Sequence, residues 1–362
     1  MTLPNYIKQI ILLLEQSGYE AYAVGGCVRD FLLGRDVGDY DITTSATPDE
    51  VKEVFDNTDY RIHDTGLKHG TVTLADSDKN IAEITTFRID GEYSDNRRPD
   101  SVTFTRSLRE DLSRRDFTVN AMAYSDKTGI VDYFGGREDL ESRVIRAVSD
   151  PYKRFNEDGL RILRAYRFSA VLGFRVELAT AKAAYELHGL IHGISGERIS
   201  QELNKTASAH FGRDKITSLA MLFRDVGWER DEVQRFMKRL KYDNDTFSKV
   251  MTLTEYKFLR VWNRKSEIKS ELFRFGEEMF FRMADFSEWD RTVVETAKQI
   301  ISDGECYSLK QLQVKGEDLV ALGYEGKRVG DCLYKLLFAV IYEECANVKE
   351  ELLSHIKKSN IK

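Results

Sequence analysis

The chain has 362 residues, enough for two or more hydrophobic cores. Its 42% hydrophobic and 31% charged residues are ordinary for a globular protein, and a formal net charge of −6 gives no general attraction to nucleic acid, so a polyanionic partner would need a local patch of Arg and Lys. The four cysteines show no CxxC spacing and no nearby His pattern, and the apolar run Ile10–Leu14 is too short to span a bilayer and lacks a cleavage signal. These features argue against a disulfide framework, a zinc site, a membrane segment and a secretory leader, and point to a cytoplasmic protein.

Amphipathic spacing predicts a helix over Asn5–Gln16, followed by an apolar strand at Ala21–Val24, after which Gly25 and Gly26 open a second helix. A second strand runs through Tyr40–Thr43. Thr47-Pro48-Asp49-Glu50 reads as a helix start, with Thr47 as N-cap, Pro48 at N1 and Glu50 closing a capping box. Strand-like runs at Tyr60–His63, Gly70–Ala75 and Ile81–Arg88 complete a mixed sheet of about five strands backed by helices. Ile89–Ser101 is polar and rich in turn residues, which predicts a loop. Ser107–Tyr124 reads as helical, a turn follows at Phe134–Gly136, and from about Ser142 to His355 the periodicity is almost entirely helical. The predicted class is α+β, a small mixed-sheet head followed by an all-helical remainder.

Four segments carry chemistry. In Val24-Gly25-Gly26-Cys27-Val28-Arg29-Asp30, paired glycines between strand and helix let backbone N–H groups approach a triphosphate, and Arg29 lies within reach of the same phosphates. In Gly38-Asp39-Tyr40-Asp41, carboxylates two apart on a strand face one side, and their repulsion is relieved by a bridging cation such as Mg²⁺; Glu83 on a later strand is a candidate third carboxylate. In Arg114-Arg115-Asp116-Phe117-Thr118-Val119-Asn120, the arginines suit a polyanion. If helical, Asp116 and Asn120 share a face and suit a sugar hydroxyl. Glu157-Asp158-Gly159-Leu160-Arg161, continued by Arg164 and Arg167, forms a basic stripe headed by two acids. Cytosine and adenine share an exocyclic amine donor beside a ring-nitrogen acceptor, and uracil and guanine present the reverse. A carboxylate at Asp158 and a guanidinium at Arg161 would therefore accept C and A and reject U and G without a template. Each segment alone also has an ordinary reading, as a tight turn, a solvated strand face or a salt-bridged helix face.

In this order, VGGCVRDFLLGR, DYD, EITTFR, YSDNRRPD, REDLSRRDFTVNAMA and NEDGLRILRAYRF resemble the bacterial class II tRNA nucleotidyltransferase family, which holds the CCA-adding enzymes and bacterial poly(A) polymerases of the polymerase β superfamily. The resemblance is close over Tyr22–Phe174 and fainter over Gly316–Leu333, and the middle, about Lys205–Gln311, is not diagnostic. It implies a seahorse-like fold with a nucleotidyltransferase head over 1–140, a base-recognising neck over 141–200, a helical body over 201–270 and a tRNA-binding tail over 271–362. It implies that Asp39 and Asp41 bind two Mg²⁺ ions with Glu83 as a helper, and that Gly25, Gly26, Arg29 and Arg115 hold the triphosphate. By the same resemblance Asp116 reads the ribose, Asp158 and Arg161 select the base, and Arg164 and Arg167 line the nucleotide site. The substrates implied are CTP, ATP and the acceptor arm and 3′ end of tRNA. The loop with Asp95, Arg97 and Arg98 resembles the flexible element needed for the switch to ATP. Cys27 departs from the family's usual Ala or Pro, with no consequence expected.

Within the family, a CC-adding enzyme would lack the loop, an A-adding enzyme would keep it, and a poly(A) polymerase would carry a long basic terminus where this chain ends in a short Lys-containing tail. A small-molecule nucleotidyltransferase would need neither the long helical extension nor the EDxxR element. The alternative from another class is a non-catalytic RNA-binding protein using basic runs such as Arg235–Lys241 and Arg260–Lys269, but a binder gains nothing from a repelling carboxylate pair. No protein partner is evident.

Overall fold

Ile7, Ile10, Ile11 and Leu14 recur at helical spacing, and they bury one face of α1 (Asn5–Gln16) in a core shared with Ala23, Ile42, Val51 and Ile84. The computed structural model describes residues 1–66, 70–91, 101–255 and 264–358. It divides into two compact units, Met1–Gly212 with Arg239–Lys241, and Arg213–Lys238 with Tyr242–Lys362.

The first unit continues with β1 (Ala21–Val24), α2 (Gly26–Leu32), β2 (Asp41–Thr44), α3 (Pro48–Phe55), β3 (Arg61–Gly66), β4 (Thr71–Ala75) and β5 (Ile81–Thr86). Next come β6 (Arg88–Asp90), β7 (Val102–Phe104), α4 (Leu108–Ser113), β8 (Met122–Ser125), β9 (Gly129–Asp132) and α5 (Gly136–Glu141). It closes with β10 (Val144–Ile145), α6 (Pro151–Glu157), α7 (Leu160–Leu172), β11 (Arg175–Val176), α8 (Leu178–Glu186) and α9 (Gly196–Phe211). The capping box read at Thr47 is present, with Glu50 N–H donating to Thr47 Oγ1 at 3.4 Å and Thr47 N–H donating to Glu50 Oε2 at 2.7 Å.

Seven strands form the main sheet, in the order β3-β4-β5-β2-β1-β8-β9, where about five were expected. Only the β2–β5 pair is parallel; the other neighbours run antiparallel. The two unexpected strands, β8 and β9, form a hairpin, and β8 overlaps the end of the stretch read as a helix over Ser107–Tyr124. That helix stops at Ser113. Phe117 then bridges Ala147 in extended pairing, and Thr118 N–H donates to the Arg146 carbonyl at 2.9 Å. The reason is burial: Phe117 is wholly enclosed and meets Phe168 edge-to-face at 5.7 Å, a position that a continuing helix would carry elsewhere. A turn of 3₁₀ helix at Thr118–Asn120 packs so tightly on α5 that a methyl group at Gly136 would collide with the Thr118 carbonyl.

Four further features differ. The ends of the expected loop Ile89–Ser101 are ordered: β6 and β7 pair antiparallel, Ile89 opposite Thr103, while Asp95, Arg97 and Arg98 lie outside the described residues. Within the stretch read as wholly helical, β10 and β11 form a two-stranded parallel ribbon. Asp39 precedes β2 instead of lying on it, and Asp158 breaks the helical stripe by separating α6 from α7 with φ −145° and ψ 105°.

The second unit is helical: α10 (Lys215–Val226), α11 (Arg230–Arg239), α12 (Asn244–Glu255), α13 (Lys265–Phe286), α14 (Arg291–Ser302), α15 (Gly316–Val320), α16 (Lys327–Ile341) and α17 (Lys349–Lys358). Leu312, Leu319, Leu336, Leu337 and Leu352 centre one of its cores, and Leu272, Phe280 and Ile300 another. Of the basic runs considered for RNA, Arg235–Lys241 includes the last residues of α11, and residues 260–263 of the other lie outside the described residues. Among the described residues no helix is long and apolar enough to cross a membrane, and all four cysteines are free.

Replacing Phe117 by Ala removes the wedge between the 114–121 segment and α7. The expected cost is about 3–5 kcal/mol of stability, read as a lowered midpoint of chemical unfolding; an unchanged midpoint would show that the wedge is not what orders this segment.

Candidate active site

The chain leaves β1 through Gly25, whose φ of 79° suits glycine, and Gly25 N–H donates to the Met122 carbonyl at 3.1 Å, tying the turn to β8. A Cβ at Gly25 would stand 3.1 Å from Arg115 Nη1, close enough that the guanidinium lying over the turn would have to shift by a few tenths of an ångström. A cleft of about 510 Å³ opens here, a volume in the range of small-molecule sites. Gly25, Gly26, Cys27, Arg29, Asp30, Gly38, Asp39, Asp41, Arg115, Asp116, Asn120, Arg164, Arg167, Phe168 and Lys205 line it.

Asp39 and Asp41 therefore reach one cleft, Asp41 as the first residue of β2. Burial raises the Asp41 carboxyl above its usual value; the Arg115 charge opposes this and Asp39 adds to it. Glu83 is the register partner of Asp41 on the parallel neighbour β5 and is exposed, but it is not among the lining residues. Among the described residues no group of three or more His, Cys, Asp or Glu is placed to hold a metal ion. Two carboxylates suit Mg²⁺, which takes one or two protein oxygens and completes its shell with phosphates and water. The neighbouring Cys27 thiol is buried and pushed up to about 11, chiefly by that burial and then by Asp41, so it is chemically quiet.

The opposite wall is cationic. Arg29 donates from Nη1 to Asn120 Oδ1 at 2.6 Å and grips Asp30 with Nε and Nη2 at 2.9 and 2.7 Å. Asn120 in turn donates from Nδ2 to Asp116 Oδ1 at 3.1 Å, so the two residues expected to share a helix face are brought together by the turn after Phe117 instead. Arg164 donates from Nε to Asp116 Oδ2 at 2.8 Å. Burial alone would raise the Asp116 carboxyl, but the Arg164 charge and hydrogen bond, with the Asn120 hydrogen bond and the Arg161 charge, hold it at about 2. Arg167 pairs with the buried Glu202 on α9; burial lowers the pKa of its guanidinium, and Glu202 opposes the shift. Arg115 Nη2 lies 3.5 Å from the fully buried Asp111, and its Nε is buried with no hydrogen-bond partner among the described residues.

Asp158 and Arg161 stand apart from the cleft lining and from each other's partners. Asp158 caps α7, accepting from Leu160 N–H at 3.0 Å, and takes both amino groups of Arg198 at 3.3 and 2.7 Å. Arg161 donates to Glu157 at 2.6 Å and to the carbonyls of Arg154 and Arg114 at 3.0 Å. Their charges still reach the cleft: Asp158 raises the Arg164 pKa, and Arg161 lowers that of Asp116. The sequence reading missed Phe168, Arg198, Glu202 and Lys205 in this neighbourhood. The last three sit on α9, in no local motif, and only the packing of α9 on α7 brings them in. The signal available was weak, a Glu and an Arg at i, i+4 opening an amphipathic helix.

Residues 21–146 match the family model described as the poly(A) polymerase head domain, and residues 213–356 that of tRNA nucleotidyltransferase domain 2. The CCA-adding enzyme of Enterococcus faecalis is 34% identical over 406 aligned residues, which cover 100% of this chain and 98% of that protein. That of Geobacillus thermodenitrificans is 50% identical over 211 residues, 58% of this chain and 51% of the relative. The crystal structure of the Bacillus stearothermophilus CCA-adding enzyme in complex with CTP is similar with a TM-score of 0.84 at 31% identity, covering 99% of this chain and 98% of that one. With a carboxylate pair and four arginines lining one cleft and full-length likeness of this kind, the chain belongs to the CCA-adding enzyme family, tRNA nucleotidyltransferases of the polymerase β superfamily.

Proposed function

We propose that this chain adds C, C and A in turn to the 3′ end of tRNA in the cytoplasm, taking CTP and ATP as substrates and needing no nucleic-acid template. The observation that carries the reading is the single cleft in which Asp39 and Asp41 face Arg29, Arg115, Arg164 and Arg167. It is supported by the likeness to the Bacillus stearothermophilus enzyme, whose crystals hold CTP. In this reading residues 1–140 act as the head, 141–200 as the base-recognising neck, 201–270 as the body and 271–362 as the tail that grips tRNA.

Asp39 and Asp41 would hold two Mg²⁺ ions, with Glu83 as a helper beside them. Those ions supply Lewis-acid activation of the primer 3′-hydroxyl and neutralise charge on the triphosphate. Gly25 and Gly26 allow close backbone approach to the phosphates, while Arg29 and Arg115 clamp them, and Asp116 accepts from a ribose hydroxyl. With the nucleotide so placed, the primer 3′-oxygen forms a bond to the α-phosphorus, the bond to the bridging oxygen breaks, and pyrophosphate leaves. Positioning and charge stabilisation by fixed groups carry most of the acceleration. Asp158 accepts from the exocyclic amine of C or A, and Arg161 donates to the adjacent ring nitrogen. Arg198 and Glu157 hold these two side chains in set orientations, as a template made of protein requires.

The test uses tRNA transcripts ending at the discriminator base, after one C and after two Cs, each given Mg²⁺ with CTP, ATP, both or UTP and resolved to single nucleotides. Ordered addition of C, C and A followed by a stop is the expected result. A alone on the CC-ended transcript would mark an A-adding enzyme, long A tails a poly(A) polymerase, and no transfer a non-catalytic binder. In the same assay Asp41→Asn is expected to lower transfer by at least about a thousandfold while thermal unfolding stays within a few degrees; near-normal rates would remove the carboxylate pair from the mechanism. Asp158→Ala is expected to admit UTP at a measurable rate with KM for CTP changed less than the C-to-U preference, and a variant that remained faithful to C and A would place base choice elsewhere.

A further inference from the structure

Phe168 is 5% exposed, yet it lines the cleft, and the guanidiniums of Arg29, Arg164 and Arg167 all lie close to its ring, at 5.2, 5.3 and 4.0 Å from the centroid. These arginines come from α2 and α7; Asp30 pairs with Arg29, Asp116 with Arg164, and Glu202 with Arg167 and, at 3.8 Å, with Arg164 as well. The ring is what they share. Three like charges at such range repel one another, and an aromatic ring offsets part of that repulsion, because its faces are electron-rich and a guanidinium can lie flat on them. The ring is itself held: Phe117 meets it edge-to-face at 5.7 Å.

We propose that Phe168 is a positioning residue for nucleotide binding, its ring gathering Arg29, Arg164 and Arg167 into one anion-binding surface. Triphosphate affinity then depends on the electron density of the ring as well as on its volume. The inference rests on the reading above, that these arginines face the incoming triphosphate. A merely structural Phe168 would respond to loss of volume and ignore ring electronics, and that difference makes the two roles separable.

The experiment uses the full chain with the CC-ended transcript and ATP, and with the discriminator-ended transcript and CTP. At position 168, Phe is replaced in turn by 4-fluoro-, 3,5-difluoro- and 3,4,5-trifluorophenylalanine, which withdraw electron density stepwise at nearly constant shape. The expected result is a stepwise rise in KM for both nucleotides, reaching about tenfold at three fluorines, with kcat within about twofold, and a similar or larger rise for Phe168→Leu. A flat KM across the fluorinated series, with KM raised in Phe168→Leu, would overturn the proposal and leave Phe168 as packing alone. Arg29→Ala and Arg167→Ala, run in parallel, test the underlying reading: if both leave KM unchanged, the arginines do not hold the triphosphate and the reading fails, whereas raised KM in both with a flat series sinks only the role of Phe168. Should Phe168→Leu fail to fold, the fluorinated series decides by itself.

Discussion

Phe117, wholly enclosed against Phe168, determines where the residues on either side of it can point. Its burial pulls the chain out of the helix begun at Leu108 and into extended pairing with Ala147. Arg115 is thereby left over the Gly25 turn and Asp116 beside Arg164, and the chain is delivered into β8 through the Thr118–Asn120 turn. A continuous helix would have placed Arg115 and Asp116 about 100° apart on one surface. The two ring systems thus tie the 114–121 segment, and with it Arg115 and Asp116, to α7.

Charge in the cleft is arranged by the same packing. Each arginine is held by a carboxylate of the protein, so the wall is rigid and its cost of assembly is partly offset within the fold. Asp39 and Asp41 are treated differently. Burial raises the Asp41 carboxyl, the Arg115 charge opposes this and Asp39 adds to it, which leaves the pair suited to a cation. One wall is pre-paired and the other is left to be completed, an asymmetry that matches a site whose ligand carries both phosphates and metal.

Asp158 and Arg161, the two residues proposed to read the base, illustrate a different division of labour. Asp158 sits at a break between helices, where its own backbone is free of the regular ladder and its carboxylate both caps α7 and receives Arg198. Arg161, the second residue of α7, is fixed by Glu157 and two carbonyl groups. Local capping chemistry sets the position of each group, while a residue from α9, forty positions further along, sets the orientation of the carboxylate.

Short-range chemistry made much of this legible in the sequence: the α1 stripe, the Thr47 capping box, the glycine turn after an apolar strand, and the carboxylate spacing at Asp39 and Asp41 are each determined by neighbours within a few residues. The motifs in order also sufficed for the family and for nine of the cleft's charged and glycine residues, Gly25, Gly26, Arg29, Asp39, Asp41, Arg115, Asp116, Arg164 and Arg167. What the tertiary structure decided is everything set by long-range burial: the helix over Ser107–Tyr124 that ends at Ser113, the extra hairpin of β8 and β9, and the arrival of Glu202, Lys205 and Arg198 from α9. The sequence encodes helix propensity locally, but whether Phe117 is better buried than kept in a helix depends on Phe168 and Ala147, and a side chain's partners across the fold leave no periodic trace along the chain.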